Sequence, residues 1–216
     1  AKVYESLGQE VPTFVKVPII PEAVVDTTQK FSGVFTPTID GVAGNDEWKN
    51  AAYYPFVGGA QARSEDVTAG FYYGVDSKNL YFRVDAKSAW SSINAGKAAV
   101  YFSVPKAKGS NAISRNSENA SDPFLLGFSA TNMVEVDLAT SKASFWSATA
   151  TKWVEGSAEV KAAVKGSVVE IALPLSALGE LQAGDELKLV AVTSEGERDL
   201  QALPASGPAQ LILPDI

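Results

Sequence analysis

The sequence predicts an all-β fold, an antiparallel β-sandwich of jelly-roll or immunoglobulin-like type with one or two short helices. Three observations carry this expectation. Apolar residues alternate with wetter ones at a period of two in segment after segment, the pattern of half-buried strands. Turn-forming residues separate these segments at short intervals. No long stretch shows the period of an amphipathic helix, and regular strands without long helices are covered by stacking sheet on sheet. The chain has 216 residues, of which 46% are apolar and 20% charged, a composition that belongs to folded rather than disordered chains.

Residues 1–34 read as an extended arm or a linker, or alternatively as a terminal strand pair on the main sheet. Pro12, Pro18 and Pro21 interrupt short Val/Ile runs there, and prolines at that density exclude a helix. The sandwich is expected over 35–216. Asn45 is placed to cap a short helix over Asp46–Ala52, with acids in its first turn. Strands are expected at 67–74, Leu80–Val84, Val100–Val104, 124–130, Val134–Leu138, 142–149, 157–164, Val169–Leu173, Leu187–Ala191 and 208–213. Asp76-Ser77-Lys78-Asn79 and Lys165-Gly166 are the hairpin turns among them. Leu175–Leu181 can form one helical turn after Pro174, and the polar, aperiodic stretch Lys108–Asp122 reads as a surface loop.

Charge and missing residue types narrow the chemistry. Lys+Arg is 18 and Asp+Glu 25, a formal charge of −7, which argues against nucleic acid and against anionic membrane surfaces. No apolar run reaches the ~18 residues of a membrane span. With no His and no Cys, a Ser-His-Asp triad, a Cys nucleophile, a Cys/His zinc site and a redox dithiol are all excluded. Carboxylates remain, but Asp46-Glu47 and Glu65-Asp66 are adjacent pairs, and neighbours on a strand point to opposite faces rather than into one cleft. No catalytic residue and no hydrolase activity are therefore expected. Asp40, Asn45, Asp46, Asp76 and Asn79 leave open a structural Ca²⁺, although no Asp-x-Asp-x-Asp-Gly run is present. Ala1 in place of an initiating Met suggests a processed product or an excised fragment.

Aromatic residues are the remaining recognition chemistry. A pyranose has apolar faces and a polar rim, so a flat ring flanked by hydrogen-bonding groups suits it. Trp48, inside the expected short helix, reads as a core plug, and Asp40 before Gly41 as a turn-bonding residue. Trp146 and Trp153 flank a turn at Thr149–Lys152 and read as a packing pair. Met133, the single Met, reads as a core filler. Trp90 lies in the polar connection Ala86–Ser92, where it is either a loop anchor or an exposed platform. As a platform it would bind carbohydrate with Lys87, Ser91 and Asn94 beside it, and its removal would change stability little.

Thr36-Pro37-Thr38-Ile39-Asp40-Gly41 followed by Asp46-Glu47-Trp48, and then Asn79-Leu80-Tyr81-Phe82-Arg83-Val84, resembles the opening of the family 9 carbohydrate-binding modules and their DOMON-like relatives. Gly58–Glu65 followed by Phe71–Asp76 is similar to the C-terminal β-domain of glycoside hydrolase family 57 amylases and amylopullulanases. The resemblance implies a non-catalytic module of an extracellular or cell-surface α-glucan hydrolase. Its partners would be an α-glucan polysaccharide or oligosaccharide and the catalytic domain of the parent enzyme. By position Trp90 matches the first of two sugar-clamping rings in the family 9 modules. The second is expected near the C-terminal strand, but Leu200–Ile216 carries no aromatic residue, and Val100-Tyr101-Phe102 stands where an acidic residue is expected. The alternative is a structural or docking domain that packs on the catalytic domain or the cell envelope and binds no sugar.

Overall fold

The computed structural model describes residues 29–44, 46–57 and 66–215. Fourteen strands, β1 (Ala52–Pro55), β2 (Thr68–Val75), β3 (Asn79–Ala86), β4 (Lys97–Ser103), β5 (Asn111–Ile113), β6 (Leu125–Ala130), β7 (Asn132–Asp137), β8 (Ala143–Ala148), β9 (Trp153–Glu155), β10 (Lys161–Lys165), β11 (Val168–Pro174), β12 (Glu186–Glu195), β13 (Arg198–Leu203) and β14 (Ala209–Ile212), follow one another in the described residues. One sheet has the order β1-β2-β3-β11-β10. The other runs β13-β12-β4-β7-β8-β9, with β14 also paired to β12, and β5-β6 form a separate ribbon. The pairings within the sheets are antiparallel.

The all-β antiparallel sandwich expected from the sequence is therefore the observed fold. Its core is built by the alternation that predicted it. Phe71, Tyr73, Leu80, Phe82, Val169 and Ile171 from one sheet meet Val100, Phe102, Val134, Val136, Leu187 and Leu189 from the other. The ten expected strands coincide with β2, β3, β4, β6, β7, β8, β10, β11, β12 and β14. Both hairpins form where expected. In the first, Asp76 Oδ1 accepts from the amides of Lys78 and Asn79, both at 2.8 Å, while Gly166 in the second adopts the left-handed φ of 58° that glycine tolerates without strain.

Two local expectations need correction. Residues 46–50 form turns, not a helix: Glu47, Lys49 and Ala51 each donate to the carbonyl three residues back, and the Asn45 cap lies outside the described residues. Among the described residues, regular helix is confined to short 3₁₀ turns at Trp90–Ser92, Arg115–Ser117 and Leu175–Leu178. The stretch 108–122 is not merely a surface loop either. It contains β5 and a 3₁₀ turn and buries Ser114 and Ser117. Close to it a second apolar cluster of Tyr101, Met133, Leu126, Trp153 and Val190 forms outside the main core. The serines find local partners (Ser114 the Tyr101 hydroxyl, Ser117 the Phe124 amide), so their polarity does not oblige the segment to stay in water. Of the 1–34 arm, only 29–34 is described. Gln29 bridges Tyr53 and Ser32 bonds the Asn50 carbonyl, so this part runs along the edge of the first sheet.

Arg115 ties the segment down. Its guanidinium stacks 4.2 Å from the Trp146 ring and donates to both Glu135 oxygens at 2.6 and 2.7 Å. Asp199 of β13 faces the same turn. Burial raises its carboxyl above the ordinary range, opposed by the neighbouring Ser114 and Ser117 hydroxyls and the Asn116 amide, and neither of its oxygens completes a hydrogen bond of good geometry. A carboxyl with a raised folded-state pKa holds its proton more tightly folded than unfolded, so stability falls as pH rises from about 4 through the raised value. Asp199→Asn is expected to remove that part of the pH dependence, which thermal unfolding of both proteins between mildly acidic and neutral pH would reveal as a shallower slope for the variant.

Candidate functional site

Trp90 is 3% exposed, which corrects the expectation of a solvent-facing platform. Its backbone amide donates to the Gly166 carbonyl at 2.8 Å, and its ring joins the main core. The polar neighbours are not buried with it. Ser91 and Ser92 are exposed, and Ser92 Oγ donates to the Ala89 carbonyl at 2.7 Å. A single 3₁₀ turn thus separates one apolar ring from a polar loop, and the serines keep their water.

The four expected site residues do not converge. Trp90 and Ser91 border one pocket of about 500 Å³ at the end of the sandwich, with Ile93, Leu138, Val164 and Gly166. Lys87 turns elsewhere, its ammonium 3.9 Å from the Phe56 ring centroid. The Asn94 amide is engaged by Glu195. Trp48 is 4% exposed, as expected of a core plug, and its indole donates to Glu170 Oε1 at 2.9 Å. Trp146 and Trp153 lie on the paired strands β8 and β9.

Of the residues considered for a cation, Asp40 and Asp76 already accept protein hydrogen bonds through their carboxylates, and Asn45 lies outside the described residues. Asp40 Oδ1 takes the Val42 amide at 2.8 Å, the turn bond expected of it. Asp76 Oδ2 takes the hydroxyls of Thr36 and Tyr81 at 2.6 and 2.8 Å. Despite its burial, these bonds hold the Asp76 carboxyl below the ordinary range. Among the described residues no three acidic groups gather into a metal-binding set.

A different concave place has the chemistry expected of Trp90. Between the β1 edge of the first sheet and β14 of the second runs a groove of about 440 Å³. The part-exposed Phe31, Tyr54 and Pro208 and the exposed Ile212 border it, while Tyr73 and Leu211, 3% and 1% exposed, belong to the closed core beneath. Tyr73 points inward from β2, and burial pushes its phenol up to about 12, so it stays a neutral hydroxyl. Gln29 and Gln210 are exposed lining residues, and the Gln29 amide is held by the carbonyls of Lys49 and Ala51. The lining contains one charged residue, the exposed Lys30. Two part-exposed rings, the exposed Ile212 and amide groups make a site that can stack on a flat, partly apolar ligand and hydrogen-bond its rim.

No protein-family model matches the chain, and no curated protein matches it. Among solved structures the chain is similar to a carbohydrate binding module family 9 (CBM9) from Caldicellulosiruptor kristjanssonii in complex with glucose. The identity is 13% and the TM-score 0.42, over 84% of this chain and 93% of that one. A likeness of that degree carries no argument about function, and the sandwich architecture rests on the strand pairings themselves.

Proposed function

We propose that this chain is a non-catalytic carbohydrate-binding module and that the edge groove holds the sugar. The observation that carries the reading is the pair of part-exposed rings, Phe31 and Tyr54, beside the exposed amides of Gln29 and Gln210. The resemblance of Thr36–Trp48 and Asn79–Val84 to sugar-binding sandwiches supports it. The finer reading, an accessory module of an extracellular or cell-surface α-glucan hydrolase, rests on that resemblance alone.

Tyr54 is the ring to test, being half-buried at the groove. A stacked sugar face covers roughly 60–100 Å² of ring, worth about 1.5–2.5 kcal/mol at ~25 cal/mol per Å². Tyr54→Ala should therefore weaken binding by about 10-fold or more. Calorimetric titration of malto-, cello- and xylo-oligosaccharides against both proteins tests this, with circular dichroism confirming that the variant is folded. Absence of binding by the native chain to all three series would remove the reading and leave the docking-domain alternative.

A further inference from the structure

We infer that Gln29 is a specificity-determining residue of the edge groove: its side-chain amide is locked as an acceptor, so the groove takes a sugar that offers a free hydroxyl there over one whose oxygen at that place is an ether. The inference rests on the reading above that this groove binds carbohydrate.

Gln29 is exposed, yet four hydrogen bonds hold it to the β1 edge. Its backbone amide donates to the Tyr53 carbonyl at 3.0 Å, and its carbonyl accepts the Tyr53 amide at 2.8 Å. Its Nε2 donates to the carbonyls of Lys49 at 2.6 Å and Ala51 at 3.1 Å. An exposed glutamine ordinarily turns its amide over and offers a ligand either a donor or an acceptor. Here both Nε2 hydrogens are spent. Turning the amide over would set Oε1 against two carbonyl oxygens, so the partners fix which branch is which. Oε1 is the group that the side chain has left for a ligand in the groove it borders.

The same short stretch carries a ring. Phe31, two residues on, borders the groove too, and the Ser32 amide donates to the Asn50 carbonyl at 3.0 Å. Ring and acceptor therefore sit on one tied strap, suited to a sugar face and to a hydroxyl at its rim. Lys30 between them can only donate, so it does not duplicate the acceptor. A hydroxyl gives its proton to Oε1. A methyl ether has none to give, and it sets oxygen against oxygen. In an exposed site one such hydrogen bond is worth about 3- to 10-fold in affinity.

The test uses the whole chain with methyl glucoside and methyl xyloside, each beside its mono-deoxy and mono-O-methyl derivatives, titrated by ligand-observed NMR. At one ring position both changes should weaken binding about 3- to 10-fold, the ether as much as the deoxy sugar, because the proton rather than the oxygen is what Oε1 needs. Gln29→Met keeps the length and removes the acceptor. It should bind the parent glycoside more weakly by a similar factor and show no further loss at that position. If Gln29 only ties down the strap, Gln29→Met would instead weaken every derivative alike and leave the position as sensitive as before, which would overturn the inference. Equal binding of parents and derivatives by the native chain would overturn it as well. So would glycosides that fail to bind where longer oligosaccharides succeed, since recognition would then not lie in one ring beside Gln29. Binding of neither glycosides nor oligosaccharides would overturn the carbohydrate reading and this inference with it.

Discussion

Glu170→Ala is expected to destabilise the fold by about 3–5 kcal/mol, the cost of breaking a buried charged hydrogen-bond set by removing one member. Glu170 is 0% exposed on β11, a carboxylate in a place normally closed to charge. Its two oxygens collect three donors from one crossing segment: the amides of Asp40 at 3.1 Å and Gly41 at 2.9 Å on Oε2, and the Trp48 indole at 2.9 Å on Oε1. That segment packs Phe35, Ile39 and Trp48 against Tyr81 and Ala172 on the outer face of the five-stranded sheet. Gly41 comes so close to β10 that a Cβ there would lie 2.8 Å from Lys165 Cβ, at a φ of 75°, so the amides cannot easily turn elsewhere. Alanine would strand all three donors, each costing about 1–3 kcal/mol if buried without a partner. Arg83, opposite Glu170 in the strand register, keeps Asp85 as its own partner at 2.8 and 2.6 Å, which limits the damage to the segment. Glu170→Gln should cost less than Glu170→Ala but more than about 1 kcal/mol, since its NH₂ must face an N–H. Urea unfolding with an unchanged m-value would measure both. A loss below about 1 kcal/mol for Glu170→Ala would mean that the segment is held by its rings alone.

This latch shows what the sequence could and could not display. The Asp76 turn was legible because all its backbone partners lie within three residues. The ten strands were legible because one buried face writes a period of two. β1 hid because Tyr53, Tyr54 and Pro55 are alike half-buried, which leaves no alternation to read. β5 and β9 are three residues long, too short for a period. In β13, buried Gln201 accepts the Thr68 amide across the sandwich, so a polar residue occupies an inward position. Glu170 read as the wet face of a strand, since its partners lie 122 to 130 residues away. The groove draws on residues near 30, 53, 73 and 210, and only the pairing of sheets brings these together. Trp90 was misread for a related reason: the polarity of a loop reports on its backbone and its neighbours, not on which way one ring turns.

That ring supplies the second large effect. Trp90→Ala is expected to cost about 3–5 kcal/mol, as for other large deletions from a packed core, where a solvent-facing platform would have cost almost nothing. Its side chain is one of the main cluster's buried members, and the 3₁₀ turn that carries it bonds back to Gly166 and Ala89. Losing the ring opens a void against the neighbouring pocket, and water entering there would meet mainly apolar walls. Trp90→Phe separates packing from polarity. The Trp90 indole nitrogen is buried without a hydrogen-bond partner among the described residues. Phenylalanine gives up some packing, about 1 kcal/mol or a little more, but removes a donor whose unpaired burial costs about 1–3 kcal/mol. The two terms nearly cancel, so Trp90→Phe should match the native protein in thermal stability. It should also keep any oligosaccharide affinity, because the rings that border the edge groove belong to other residues. A Trp90→Ala loss below about 1 kcal/mol, together with lost sugar binding in Trp90→Phe, would return the site to the Trp90 end of the sandwich.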